Sequence, residues 1–222
     1  MAMKSLSEAL LYGIADLGYL NPDHLESVVE KMLEGGVDVL QLRAKGISEE
    51  EIESHARRLV TITERAGVPF IINDHPELVP SVGAQGAHVG QEDFEVSDAR
   101  WRAGRALASE VALPLIGKST HSVDQAHAAV GQGADYIGFG PLFATPTKPG
   151  RPAVGLGGIR EVQESISIPV FCIGGIKMEN LESVLDAGAR RVVIVSGILQ
   201  SSDPAGYCTH VKKTLLERHQ QG

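Results

Sequence analysis

Two cysteines, Cys172 and Cys208, are too few for a disulfide framework, so a reducing cytoplasm is the expected setting. No stretch approaches the roughly 20 consecutive apolar residues of a membrane span. The start of the chain, MAMKSLSEALLYGIADLGYL, does not read as a signal peptide, because Glu8 and Asp16 interrupt it. Excess positive charge is also missing. The formal net charge is -8, which argues against a general nucleic-acid or membrane surface. An anionic substrate would have to be met by a local cluster of cations or by a metal. The eight histidines show no HxxxH or HExxH spacing, so a zinc site is not expected. Gly117-Lys118-Ser119-Thr120 resembles the end of a P-loop, but Ala112 stands where its first glycine belongs. No linker, low-complexity segment or charge block divides the 222 residues, whose 43% hydrophobic and 22% charged content is ordinary for a globular chain.

What is present is a strict alternation. Apolar runs at 12–15, 37–42, 69–72, 87–89, 114–116, 136–139, 169–173 and 191–195 read as strands. Between them lie helical patterns. One is headed by Asp23 and stops at Gly35-Gly36. Another opens on a capping box of Ser48 and Glu51 and runs to about Arg65. Further helical patterns cover 76–83, where Pro80 is awkward, 97–110, a stretch capped by Ser122, and 156–166, 179–187 and 204–218. Continuous apolar runs between helices call for parallel strands buried on both faces. Eight such units predict an α/β fold, a closed (β/α)8 TIM barrel in a single domain over 1–222, with 1–9 and 219–222 as loose ends. An open doubly wound sheet would need a phosphate fingerprint after the first strand, and ADLGYL supplies none. GGVD, QGAD and AGAR each precede a strand, as expected of a reused helix-to-strand turn with glycine at the helix end.

Polar residues gather at the C-terminal ends of the strand runs. They are Gln41, Arg43 and Lys45; Asn73 and Asp74; Gln91 and Asp93; Ser119 and His121; Thr145, Thr147 and Lys148; and Ser196. A barrel brings those ends to one face, where its active site lies. The stretch 134–151 passes from an apolar strand into a loop of prolines, two threonines and a lysine, as suits the wall of an anion site. Gly174-Gly175 and Ser196-Gly197 follow strands seven and eight, where such barrels often bind phosphate. Asp74 and Asp93 end neighbouring strands. Two carboxylates suit Mg2+ better than zinc, although two separate helix-capping aspartates would look the same. Arg43 and Lys45 alternate on one extended segment, placing both on one diphosphate or in ordinary salt bridges. Cys172 and Trp101 read as packing residues.

The motifs QLRAK at 41–45, ND at 73–74, GAHVGQED at 86–93, GKSTHS at 117–122, GADYIGFGPLFATPTK at 133–148, IGGI at 173–176 and VSGI at 195–198 together resemble the thiamine-phosphate synthase family. The resemblance runs from about Leu11 to Ser202 and implies the same barrel. It further implies a transferase joining a hydroxymethylpyrimidine diphosphate to a thiazole phosphate, with release of pyrophosphate. Carried over by position, Gln41, Leu42, Arg43, Ala44, Lys45, Asn73, Ser119 and Lys148 would hold the pyrimidine diphosphate. Arg43, Lys45 and Lys148 would serve catalysis. Thr145, Pro146, Thr147, Gly175, Val195 and Ser196 would hold the thiazole phosphate, and Asp74 and Asp93 would bind Mg2+. The implied partners are small molecules, with neither nucleic acid nor membrane, and a homo-oligomer is left open. Two positions depart from the family. His75 stands where arginine is common, and Lys118 where a small apolar residue is usual. A thiazole tautomerase of the same fold is the nearest alternative, but it needs neither the diphosphate cations nor the metal. A sugar-phosphate isomerase or epimerase would need an acid or base at a strand end, for which Asp16 and His121 are the loose candidates. A non-catalytic phosphate-binding barrel is the remaining one.

Overall fold

A computed structural model describes residues 3–104, 113–144 and 152–221. The strands are β1 (Leu11–Asp16), β2 (Val39–Arg43), β3 (Phe70–Asn73), β4 (Gly86–Val89), β5 (Leu115–Thr120), β6 (Tyr136–Phe139), β7 (Val170–Cys172) and β8 (Val192–Ile194). Each pairs in parallel with the next, and β8 pairs with β1, which closes the barrel. The described helices are α1 (Leu25–Glu34), α2 (Glu49–Ala66), α3 (Val79–Val82), α4 (Val96–Gly104), α5 (Val123–Gly131), α6 (Ile159–Ser165), α7 (Met178–Asp186), α8 (Ser196–Leu199) and α9 (Pro204–Gln221).

The helices follow their local chemistry. Ser48 Oγ accepts from the Glu51 N–H and a Glu51 carboxylate oxygen accepts from the Ser48 N–H, so the expected capping box opens α2. Asn21, rather than Asp23, caps the start of the first helical segment, through a 3.0 Å bond from the Asp23 N–H. Pro80 splits the segment after β3 into a 3-10 turn, Pro76–Leu78, and the short α3, because it has no N–H to continue the ladder. The expected helix over 97–110 is seen as α4; residues 105–110 lie outside the described residues.

One strand differs clearly from its reading. The apolar run 114–116 suggests a strand that stops before Gly117, yet β5 continues through Gly117, Lys118 and Ser119 to Thr120. Gly117 and Ser119 point inward, onto space shared with large side chains. A Cβ on Gly117 would lie 2.1 Å from Tyr136 Cζ. Small and polar residues therefore belong on that strand, and they hide it from a search for apolar runs.

Two cores result. The outer one packs strands against helices. The inner one, inside the barrel, holds Tyr12, Ile14, Val39, Ile71, Tyr136, Phe171 and Val193, with Leu6 and Ala9 of the preceding segment packed against it. The turns at GGVD and QGAD carry glycines with φ of 95° and 84°, and each following aspartate ties strands together. Asp135 accepts from the Ile116 N–H, and Asp38 from the N–H groups of Leu10 and Leu11.

Asp38 also meets Lys4 at 3.1 Å and Lys212 more closely. Burial pushes its carboxyl up, but the Lys212 ammonium and the two N–H groups outweigh that and hold it below the usual carboxylate range. A depressed pKa adds stability above the unfolded value, about 3.9. That stability is lost as pH falls through the folded value. Asp38→Asn is therefore expected to cost about 1–3 kcal/mol at pH 7, because it removes charge from bonds made by buried donors. The loss should shrink as both proteins are unfolded at successively lower pH below about 4. Denaturant titrations at pH 7 and in the acid range check this.

Candidate functional site

The inward residues near the C-terminal ends of the strands line a cavity of about 940 Å³, counted with its open mouth. Its floor is aromatic. Tyr12 and Tyr136 each meet Phe171 edge-on, at centroid distances of 5.3 and 5.8 Å. A hydrogen-bonded chain crosses that floor. Ser119 Oγ contacts His88 Nε2 at 3.0 Å, His88 Nδ1 contacts Tyr136 Oη at 3.2 Å, and Tyr136 Oη contacts Tyr12 Oη at 3.0 Å. Gln41 Nε2 donates to Tyr12 Oη at 2.9 Å. Burial pushes both phenols above their ordinary value, so they stay protonated at neutral pH. They are neutral donors and positioners here, not bases.

Seven of the candidate positions line this one cavity: Gln41, Arg43, Asn73, Ser119, Gly175, Val195 and Ser196. His121 and Asp16 line it too. Leu42 and Ala44 alternate with the inward residues and pack into the outer core, so their side chains face away from it. Thr145, Pro146, Thr147 and Lys148 lie outside the described residues.

The cation that ends β2 and the one two residues beyond it are both ion-paired. Arg43 Nη1 lies 2.7 Å from Asp16 Oδ2, and the carboxylate is almost fully buried. Lys45 Nζ lies 2.8 Å from Asp74 Oδ2 and is more exposed. The salt bridges therefore exist, and of the two cations Arg43 is the one that lines the cavity.

Asp74 and Asp93 follow neighbouring strands. The Asp74 N–H donates to the carbonyl of His88 on β4 at 2.9 Å. Asp74 alone among the described non-glycine residues has a positive φ, 62°. Such a conformation costs energy and is often kept where a side chain must be aimed. The Asp93 carboxylate accepts from the Gly90 N–H at 2.7 Å. An all-oxygen pair of carboxylates on adjacent turns fits a hard cation such as magnesium, which uses one or two carboxylates and completes its shell with water and phosphate. Beside Asp74, potential ligand atoms of Glu49, His75 and Glu77 lie within 4.8 Å of one another. Within that trio His75 and Glu77 form a 3.0 Å ion pair, which raises the imidazole above its ordinary value.

Sequence reasoning overlooked the floor: Tyr12, His88, Tyr136 and Phe171. Each reads as an ordinary strand residue. Their one signal is the two-residue alternation with a candidate position, as in Phe171, Ile173 and Gly175. Cys172 is no hidden nucleophile, since burial pushes its thiol up to about 12.

Comparison with known proteins agrees with the geometry. A family model described as thiamine monophosphate synthase matches residues 11–198. The thiamine-phosphate synthase of Thermus thermophilus is 44% identical over 176 residues, 79% of this chain and 81% of that protein. That of Halalkalibacterium halodurans is 40% identical over 209 residues, 94% and 95% of the two chains. A solved structure of a thiamine phosphate pyrophosphorylase from Pyrococcus furiosus superposes with a TM-score of 0.83 at 28% identity, covering 96% of this chain and 98% of that one.

Proposed function

The chain belongs to the thiamine monophosphate synthase family, and on that premise we propose that it condenses 4-amino-2-methyl-5-(diphosphooxymethyl)pyrimidine with a thiazole ethyl phosphate. The products are thiamine phosphate and diphosphate. The observation that carries this reading is the single cavity in which Gln41, Arg43, Asn73 and Ser119 face Gly175, Val195 and Ser196. One set suits the donor and the other the acceptor's phosphate.

In this reading the pyrimidine ring lies over the aromatic floor. Tyr12 occupies the amide nitrogen of Gln41, which leaves the Gln41 oxygen to accept from the pyrimidine's amino group. Ser119, held by His88, fixes the far side of the ring. The diphosphate points out of the barrel toward Arg43 and Lys45, with Lys148, which follows β6 in the sequence, as the third cation. Asp74 and Asp93 would hold Mg2+ beside it. Bound there, magnesium would supply positive charge against the diphosphate oxygens.

The bond between the methylene carbon and the diphosphate oxygen breaks first, and its electron pair leaves with diphosphate. The aminopyrimidine then carries the cationic charge. Arg43, Lys45 and Lys148 stabilise the charge that collects on the leaving group. Thr145, Thr147 and the backbone at Gly175, Val195 and Ser196 orient the thiazole phosphate so that the ring nitrogen closes on the methylene carbon with its own lone pair. No protein nucleophile is required. The cytoplasm is the proposed setting, consistent with two buried free thiols. No helix among the described residues is long and apolar enough to cross a membrane.

Incubating the purified protein with both substrates, with Mg2+ or with EDTA, tests the reading. Thiamine phosphate and diphosphate in equal amounts, formed with Mg2+ and not with EDTA, are the expected result. Isomerisation of the thiazole phosphate alone, or ligand binding without product, overturns it.

A further inference from the structure

Lys118 stands on β5 between the two inward residues Gly117 and Ser119, so it points the other way, into the outer core. It is 3% exposed. Its Nζ donates to the Gly90 carbonyl at 2.9 Å and to the Phe94 carbonyl at 2.5 Å. Those carbonyls are the two ends of the turn between β4 and α4. Asp93 sits inside that turn, its carboxylate bonded to the Gly90 N–H at 2.7 Å and its own N–H to the Gly90 carbonyl at 3.4 Å. Gln91 of the same turn donates to the Ser119 carbonyl at 2.6 Å. Two side-chain connections thus sew the Asp93 turn to β5, and one of them is a buried ammonium.

A cation in that place is costly as a stabilising device. Desolvating an ammonium costs several kcal/mol, and a well-packed apolar residue in its stead is often neutral or stabilising. Its return is geometric. An ammonium is a point donor on a long stem, and it can draw two carbonyls together where an apolar side chain would supply neither bond. The carbonyls it gathers bracket one of the two carboxylates assigned to the metal.

We propose that Lys118 is a positioning residue, a buried staple that holds the turn between Gly90 and Phe94 so that the Asp93 carboxylate stands ready for the divalent cation shared with Asp74. The inference rests on the metal reading given above. Lys118 touches neither substrate nor metal. It acts through Asp93, as residues behind a metal ligand do when they orient it.

The test measures metal affinity directly. Mn2+ is titrated into the protein in the presence of inorganic diphosphate and free Mn2+ is followed by EPR, for the wild type, Lys118→Met and Asp93→Asn. Binding of the thiazole phosphate, which depends on the opposite wall, is measured in parallel. Lys118→Met is expected to weaken Mn2+ binding by about 10–100-fold, the usual effect of losing a group that orients a metal ligand, with thiazole phosphate affinity unchanged. In Lys118→Ala, propylammonium should restore Mn2+ affinity and propanol should not. This arm also serves if the methionine variant folds poorly. Wild-type Mn2+ affinity in Lys118→Met, or equal weakening of both ligands, overturns the role of Lys118 while leaving the metal reading intact. Wild-type Mn2+ affinity in Asp93→Asn overturns both.

Discussion

Asp93→Asn is expected to lower turnover by about 10²–10³-fold, the equivalent of roughly 2.7–4 kcal/mol in the barrier, which is typical when one charge-stabilising contact to a transition state is removed. The protein should remain folded. Asp93 is exposed, so little burial energy is at stake. Its carboxylate accepts from the Gly90 N–H at 2.7 Å, and the asparagine oxygen can take that bond over. A thermal midpoint within about 2 °C of the wild type follows, since such a surface change is worth at most about 0.5 kcal/mol. Asparagine thus removes the charge and keeps the turn, which alanine would not. Steady-state formation of thiamine phosphate, measured with saturating substrates over a range of Mg2+, checks the rate; a melting curve checks the fold. Lys148→Ala should lose turnover in the same way. Wild-type rates in both variants would remove the assignment of metal and diphosphate to this face.

The barrel was legible because parallel strands covered on both faces must be apolar on both faces, and β3, β6 and β7 are. It became illegible where the inner face turned toward the cavity. On β5 the inward positions are Gly117 and Ser119 and the outward ones Lys118 and Thr120, so Gly117-Lys118-Ser119-Thr120 offers no apolar run to mark it as a strand. Glycine is there because Tyr136 fills the space its side chain would need. That reason lies on the next strand, where Tyr136 stands opposite Gly117 in the register of β5 with β6.

The site was legible in its rim and not in its floor. Arg43, Asn73 and Ser119 are polar residues at strand ends, and their convergence follows from the topology alone. Tyr12, His88 and Tyr136 give no such signal. Their importance lies in who bonds to whom, and the Tyr12–Tyr136 bond joins residues 124 apart in sequence. Pairing is likewise invisible from one strand. The sequence left Arg43 and Lys45 open between diphosphate ligands and salt bridges; only the register of β1 with β2, Asp16 opposite Arg43, shows which carboxylate Arg43 meets.

That pairing makes Arg43→Met the variant with the largest expected effect on stability. Asp16 is 1% exposed, and its carboxylate takes one bond from Arg43 at 2.7 Å and one from the Gly18 N–H at 2.9 Å. Methionine keeps most of the arginine's apolar stem but leaves Asp16 charged and buried, with the Gly18 N–H as its remaining hydrogen-bond partner among the described residues. Breaking a buried pair from one side typically costs about 3–5 kcal/mol. For a chain of this size that is a fall of roughly 6–20 °C in the thermal midpoint. Turnover should fall as well, since the guanidinium that the proposed reaction sets against the leaving diphosphate is gone. The two losses separate in the double variant. Adding Asp16→Asn removes the stranded charge, and asparagine can still accept from Gly18, so most of the stability should return. Turnover should not, because no cation has been restored. Thermal melts and initial rates on the wild type, both single variants and the double variant complete the cycle. Full stability in Arg43→Met would show that Asp16 does not need its partner. Restored turnover in the double variant would show that Arg43 serves the carboxylate alone and never touches the diphosphate.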